Sequence, residues 1–187
     1  MSKPPSRRRI AVLRARRAAA RASSVLFVCK GNVCRSPFAA AVAQKARLFD
    51  RTGSAGHLDA AGRRPPPEAL CAAERWNVDL ADHRSRRIEQ PLLDQADAVF
   101  VFDLENLEAI RQAFPAQTRK FHLLGLLLND AQAELADPWG RGEQAFHDCY
   151  VRIEAALGRI RELRLRQAPE RPHASDTHAA DTTAPAN

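Results

Sequence analysis

The chain has 187 residues, 45% of them apolar, with 29 Lys and Arg against 22 Asp and Glu, a formal charge of +7 and a pI near 9.9. Length and composition fit one domain with a single buried core, and no apolar run approaches the roughly 20 residues of a membrane span. Collagen-like, coiled-coil and membrane-embedded classes are excluded, and the high pI raises the question of where the charge sits.

It sits at the start. Residues 1–22 carry Lys3, Arg7, Arg8, Arg9, Arg14, Arg16, Arg17 and Arg21 and no acid, whereas 23–167 hold 20 basic and 19 acidic residues and 168–187 carry a net −2. Arginines interrupt the leader throughout, so it lacks the apolar segment of a secretory signal. We expect a disordered, solvated arm over 1–22, since like-charge blocks repel. Organelle targeting, or contact with nucleic acid or another acidic surface, are the other readings of it. The polar, Pro/Ala/Thr-rich 168–187 is expected to be a disordered tail, leaving 23–167 as the folded domain.

In chain order, 24–28 is a β-rich apolar run suited to a buried parallel strand. A turn containing Gly31 leads from Cys29 to Cys34, and Ser36-Pro37 opens an Ala-rich helix to about Leu48, with Pro favourable in the first turn. A second strand is expected over 51–54, and Pro65, Pro66 and Pro67 introduce a helix through about Trp76. A third strand follows at 97–102, its crossover helix at 105–114 and a fourth strand at 120–127. The last helix spans 142–166, where Phe146, Tyr150, Ile153, Leu157, Ile160 and Leu163 form one stripe bordered by Cys149. Four β–α units in series predict an α/β fold, a four-stranded parallel sheet with helices on both faces.

The chemistry is expected in Cys29-Lys30-Gly31-Asn32-Val33-Cys34-Arg35-Ser36-Pro37. Cys-x5-Arg alone is a weak signal in a chain rich in Arg. Here, however, the Cys ends a strand, a glycine lies inside the loop, and Arg-Ser opens a helix. That arrangement lets loop and helix N–H groups converge on one anion at the carboxyl end of a strand. The pair Cys29 and Cys34 has no second Cys/His pair at zinc-finger distance, so no metal site and no cofactor is called for. Four cysteines without a disulfide context point instead to a working thiol in a cytoplasmic protein.

Val28-Cys29-Lys30-Gly31-Asn32-Val33-Cys34-Arg35-Ser36-Pro37 resembles the active-site loop of the low-molecular-weight protein tyrosine phosphatases, and the likeness extends over about 24–165. Further matches are Ser54-Ala55-Gly56, His83-Arg84-Ser85-Arg86, Asp103 with Asn106, and Asp137-Pro138. The resemblance implies a flavodoxin-like phosphatase fold and hydrolysis of phosphotyrosine through a phosphocysteine. Its partners would be tyrosine-phosphorylated proteins, a tyrosine kinase among them, and the protein is expected to be a monomer.

The residue types suit covalent phosphoryl transfer. Cys29 would attack as a thiolate, stabilised by converging N–H dipoles, the helix N-terminus and the Ser36 hydroxyl. The loop from Lys30 to Cys34, with Ser36, would cradle the phosphate, and Arg35 would hold two of its equatorial oxygens with a planar fork. Asp137, fixed by Pro138, is the candidate acid for the leaving phenolate and later the base for water.

Asn32 is expected at positive φ, and Ser54 and His83 look like the family's hydrogen-bonding partners of that Asn. Cys34 reads either as a small buried residue or, by the resemblance, as a reversible disulfide partner protecting Cys29. Lys30 would add a cation at the pocket mouth if turned inward. Trp139-Gly140 after Asp-Pro offers an aromatic wall without a hydroxyl to phosphorylate.

Three alternatives remain at this level. An arsenate-reductase-like relay needs two further closely spaced cysteines, and only Cys71 and Cys149 are left. A phosphoarginine phosphatase would be expected to carry a threonine where Val33 stands. A non-catalytic phosphoprotein-binding module would be expected to lose Cys29, Arg35 or Asp137.

Overall fold

The computed structural model describes residues 6–167. The tail expected over 168–187 lies outside the described residues. In chain order the helices and strands are α1 (Arg7–Arg21), β1 (Ser24–Cys29), α2 (Arg35–Lys45), β2 (Arg51–Gly56), α3 (Pro67–Glu74), α4 (Gln90–Asp94), β3 (Ala98–Val101), α5 (Leu104–Ala113), β4 (Phe121–Leu123) and α6 (Gly142–Leu165).

The strands form one parallel sheet in the order β2-β1-β3-β4. β1 and β3 lie in the middle and are buried along their whole length, as the unalternated runs Ser24–Cys29 and Ala98–Val101 require. The crossover β1-α2-β2 moves one way along the sheet and β3-α5-β4 moves the other. With right-handed connections this puts α2 and α5 on opposite faces. The reversal lies between β1 and β3, so the crevice for a ligand opens at their carboxyl ends. Cys29 ends β1 there, and Asp103 follows β3.

The long helix α6 packs against α2, α3 and α1. Phe146, Tyr150, Ile153, Leu157 and Ile160 of its apolar stripe are buried, together with Cys149. Tyr150 stacks face to face on Phe38 of α2 with ring centroids 3.8 Å apart, and its hydroxyl donates to the Cys34 carbonyl at 3.2 Å. The only tyrosine of the chain thus props the loop from behind.

Two expectations are corrected. Residues 7–21 are not a solvated arm but a fifteen-residue helix, capped by Ser6, whose hydroxyl accepts from the Arg9 N–H at 3.3 Å. Ala15 and Ala19, one turn apart, are fully buried against the body. Their small side chains let the helix approach α6 and β4, while most of its arginines project outward; counting charge without its angular placement misses this. The fourth strand is also shorter than 120–127. Only Phe121–Leu123 pairs with β3, and Leu124–Leu127 turns into a buried 3-10 segment. A continuous apolar run reads the same in either state.

Candidate active site

The loop from Cys29 to Ser36 joins β1 to α2, and its shape is held by Asn32. That residue sits at φ +53°, in the left-handed region that Asn tolerates. Its buried side-chain amide donates to Ser36 Oγ at 2.9 Å and to Ser54 Oγ at 3.0 Å. Its Oδ1 accepts from the Arg86 N–H at 2.9 Å, and its backbone carbonyl lies 2.7 Å from His83 Nε2. Both expected supporting residues, Ser54 and His83, therefore reach Asn32, one at its side chain and one at its main chain. Burial holds His83 below the usual imidazole range, consistent with a neutral ring donating from Nε2. Gly56 presses on the same loop: a Cβ there would meet the Lys30 carbonyl oxygen at 2.8 Å.

Inside this frame the Cys29 thiol is buried at the end of its strand, with Ser36 Oγ 3.1 Å from Sγ. Ser36 also donates to the Ala55 carbonyl at 3.2 Å, and the Asn32 amide fixes it from the other side. With that proton on Ala55, Ser36 Oγ accepts from the Cys29 S–H, and a turn of the hydroxyl towards Sγ lets it donate to a sulfur anion. Val33 and Cys34 are buried on the inner side of the loop. Burial and the neighbouring Cys29 push the Cys34 thiol well above the usual range, and burial pushes Cys149 up to about 12. Cys71 is exposed on α3 and Cys149 is packed in α6.

Arg35 is only 1% exposed. Its Nη1 donates to Asp103 Oδ2 at 2.5 Å and to the Leu135 carbonyl at 3.0 Å, and its Nη2 to Asp137 Oδ2 at 2.6 Å. The guanidinium also faces the Phe102 ring at 5.6 Å. Its Nε is buried without a partner among the described residues. Asp103 does double duty, since its Oδ1 accepts from the Asn106 N–H at 2.7 Å and caps α5. The resemblance marks Asp103 with Asn106, but its place in the Arg35 network is not visible from sequence spacing, where it reads as an Asp at a helix N-cap after a strand.

Above the loop lies a pocket of about 320 Å³, whose rim includes Leu58, Arg63, Glu105, Asp137 and Trp139. Trp139 is 51% exposed, and the Arg63 guanidinium stands 5.3 Å from its ring centroid. Leu58, Arg63 and Glu105 are rim residues that sequence reasoning missed, the first two because the loop after Gly56 carries no motif and the third because it reads as an ordinary acid in the first turn of α5. The direction of Lys30, which the sequence leaves open, is set by α5. Its ammonium pairs with Glu105 at 2.7 Å at the solvent-exposed mouth, and that carboxylate raises its pKa. The Lys30 side chain is therefore held at the rim by the first turn of α5.

All the residues expected from the sequence, from Cys29 to Ser36 with Ser54, His83, Asp137 and Trp139, gather at this one edge of the sheet. A thiol, a buried guanidinium and a carboxylate around a strand-to-helix loop can perform nucleophilic displacement at the centre of a tetrahedral oxyanion.

Comparison with known proteins agrees. The model of the family described as low molecular weight phosphotyrosine protein phosphatase matches residues 24–168. The low molecular weight phosphotyrosine protein phosphatase of Schizosaccharomyces pombe is 33% identical over 142 residues, covering 69% of this chain and 88% of the relative. The tyrosine phosphatase Wzb from Escherichia coli K30, solved in complex with sulphate, superposes with a TM-score of 0.70 at 28% identity over 76% of this chain and 99% of that one. The YwlE arginine phosphatase from Geobacillus stearothermophilus superposes with a TM-score of 0.72 at 27% identity, covering 81% and 99%. Helix α1 precedes the matched residues.

Proposed function

The chain belongs to the low-molecular-weight phosphotyrosine protein phosphatase family, and from that premise we propose that it hydrolyses phosphotyrosine in proteins through a phosphocysteine formed on Cys29. The observation that carries this reading is the Arg35 guanidinium, buried beside the Cys29 loop with its Nε–H unpartnered among the described residues. A buried cation with a spare donor suits a phosphate dianion seated over the loop, because an unpaired donor costs free energy that an oxyanion would recover.

In the first step Cys29 Sγ forms a bond to phosphorus as the bond to the phenolic oxygen breaks. Asp137 delivers its proton to that oxygen, so a phenol leaves rather than a phenolate. Charge on the equatorial oxygens is met by the loop N–H groups and Arg35. In the second step the ionised Asp137 takes a proton from water, which attacks phosphorus. Inorganic phosphate and the free thiolate result. Ser36 stabilises sulfur as it leaves, its hydroxyl turning from the Ala55 carbonyl to Sγ, 3.1 Å away.

The substrate class rests on the rim. Leu58 and Trp139 offer apolar walls on a pocket that holds the loop at its base, which suits a phenyl ring. Val33 favours phosphotyrosine over phosphoarginine, although one structural neighbour is an arginine phosphatase. We assign the protein to the cytoplasm and its partners to tyrosine-phosphorylated proteins, a tyrosine kinase among them. Among the described residues no helix is long and apolar enough to cross a membrane.

The test is hydrolysis of phosphotyrosine, phosphoserine, phosphoarginine and an aryl phosphate in EDTA by the wild type and by Cys29→Ser. Phosphotyrosine and the aryl phosphate are expected to turn over, and Cys29→Ser to be inactive. Undiminished activity in Cys29→Ser overturns the mechanism, and a preference for phosphoarginine overturns the substrate.

A further inference from the structure

Away from the catalytic pocket, the outer side of α1 and the segment leading into β4 enclose a groove of about 820 Å³. Arg14, Arg17 and Arg21, at helical spacings of three and four, line one wall; Arg119 and His122 line the other. Not one of the four guanidiniums makes an ion pair among the described residues. The contrast with their neighbours is sharp. Arg8 of the same helix donates to the carbonyls of Asp130 and Ala131 at 2.8 and 3.1 Å, and Arg16 donates to Asn129 Oδ1 at 3.1 Å.

The groove has one acid, Asp97, and it is already engaged. Its Oδ2 accepts from the N–H groups of Ser23 and Ser24 at 2.9 and 2.8 Å and from Ser24 Oγ at 3.0 Å. Four cations are thus gathered around a concavity against a single carboxylate, and none of them is ion-paired among the described residues. Mutual repulsion opposes such a cluster, which also raises a local positive potential able to draw an anion. A structural role would be served better by pairing the arginines with acids, as Arg152 pairs with Asp130 at 2.9 Å.

Shape and lining narrow the choice of anion. The groove continues past Arg14 into a second hollow of about 390 Å³ that adds Arg7 and Arg111 and an apolar floor including Ile10, Leu107 and Leu126. Ile10 is 38% exposed, and Leu13 on the same helix is 60% exposed. Alternating cations and apolar contacts along a trough match a chain carrying both carboxylates and aliphatic side chains. A single-stranded nucleic acid would want exposed aromatic faces for its bases, and the lining offers only the buried Phe121 and the half-buried His122. A lipid surface would want a convex, outward-facing apolar strip rather than a trough.

We infer that this groove is a docking site for an acidic polypeptide segment, its Asp and Glu carboxylates taken by Arg14, Arg17, Arg21 and Arg119 and its aliphatic side chains resting on the Ile10 side. Guanidinium forks bind carboxylates bidentately, so the site distinguishes Arg from Lys. Three of its four cations come from α1, which lies before the residues that match the family. The function is therefore separate from the phosphatase chemistry, and its failure would leave that chemistry untouched.

The test uses the full chain near physiological salt and a fluorescently labelled Glu/Leu peptide, read by anisotropy. Unlabelled single-stranded DNA and phosphatidylserine vesicles serve as competitors. Saturable binding is expected, weakened at least about tenfold in Arg14→Glu/Arg17→Glu/Arg119→Glu and measurably in Arg17→Glu alone, with the Arg→Lys triple retaining part of it and binding falling as salt rises. Aryl phosphate hydrolysis and melting temperature report that the variants are folded and should match the wild type. Absence of binding, equal binding by Arg17→Glu and wild type, or stronger binding of DNA or vesicles than of the peptide overturns the proposal.

Discussion

The guanidinium of Arg35 and the carboxylate of Asp137 stand 2.6 Å apart, an ion pair that joins the group that binds the phosphate to the group that moves the proton. Asp103 holds the same guanidinium at 2.5 Å. A phosphate dianion entering the loop must therefore share Arg35 with two carboxylates, and Asp137, being 35% exposed, is the one freer to move. Removing the charge of Asp137 while keeping its shape separates the two effects. Asp137→Asn should lower kcat about 10²–10³-fold on esters with poor leaving groups and less on good ones. Inorganic phosphate should inhibit the variant as well as the wild type, or several-fold better. Steady-state kinetics with phosphate as competitive inhibitor checks this, and a parallel loss of phosphate affinity would contradict it.

Much of this site is legible in the sequence because its chemistry is local. Cys29, Asn32, Arg35 and Ser36 lie in one loop, and a strand before it with a helix after it leaves little freedom in how they converge. Asp137 was found by resemblance and by its Pro138, not by spacing. What stayed hidden depends on side chains that meet only through the fold. Lys30 turns to Glu105 because α5 begins beside the loop, and Asp103 serves a cap and an ion pair at once. The N-terminal helix was hidden for another reason. Its Ala15 and Ala19 contribute little to any hydropathy pattern, yet their size is what admits close packing.

That packing makes α1 part of the stability of the domain. Ala15, Ala19 and Ala20 are buried by α1, and at about 0.8 kcal/mol per methyl-sized group they alone contribute about 2 kcal/mol. Arg164 adds contacts from α6, donating to the Ala22 carbonyl at 2.7 Å. Deleting 1–22 should lower the unfolding free energy by at least about 2 kcal/mol, measured by urea titration. Ala19→Asp, which introduces an unpaired charge at a fully buried position, should do the same without shortening the chain. Equal stability of both variants and the wild type would show the helix to be dispensable.

His122 makes stability depend on pH. Burial, with Arg14 and Arg111 nearby, lowers its pKa from 6.5 to about 4. His57 and His83 are lowered too, burial being the main cause. Each is neutral in the fold, and the unfolded chain takes up its proton first as pH falls. Stability should be full above about pH 6.5 and decline towards pH 4, His122 accounting for about 3 kcal/mol of the fall. Asp97 and Asp130, held below the usual carboxylate range by hydrogen bonds to Ser24 and Arg152, titrate lower still and leave this window largely clear. His122→Phe keeps a ring against Phe100, whose centroid is 5.8 Å away. Urea unfolding at pH 7 and pH 4.5 should show a smaller difference for the variant; an unchanged difference would place the dependence elsewhere.

The rim should decide how tightly a phenyl ring is held, and it should do so without touching the chemical step. Trp139 follows Asp137-Pro138, and its N–H donates to Asp137 Oδ1 at 3.3 Å, so its main chain serves the acid while its side chain faces the pocket. Arg63, over the Trp139 ring at 5.3 Å, steadies that wall by a cation–π contact. An aromatic wall is worth about 0.5–1.5 kcal/mol to a substrate ring beyond area burial, or about 2- to 12-fold in affinity. Trp139→Ala, which keeps the main-chain N–H, should raise KM for phosphotyrosine by about that factor with kcat nearly unchanged. Arg63→Ala should give a smaller rise of the same kind. Small alkyl phosphates, lacking a ring, should be indifferent to both. If Trp139→Ala lowered kcat and left KM alone, the side chain would be acting on Asp137 and not on the substrate, and the aromatic wall would have no part in selecting phosphotyrosine.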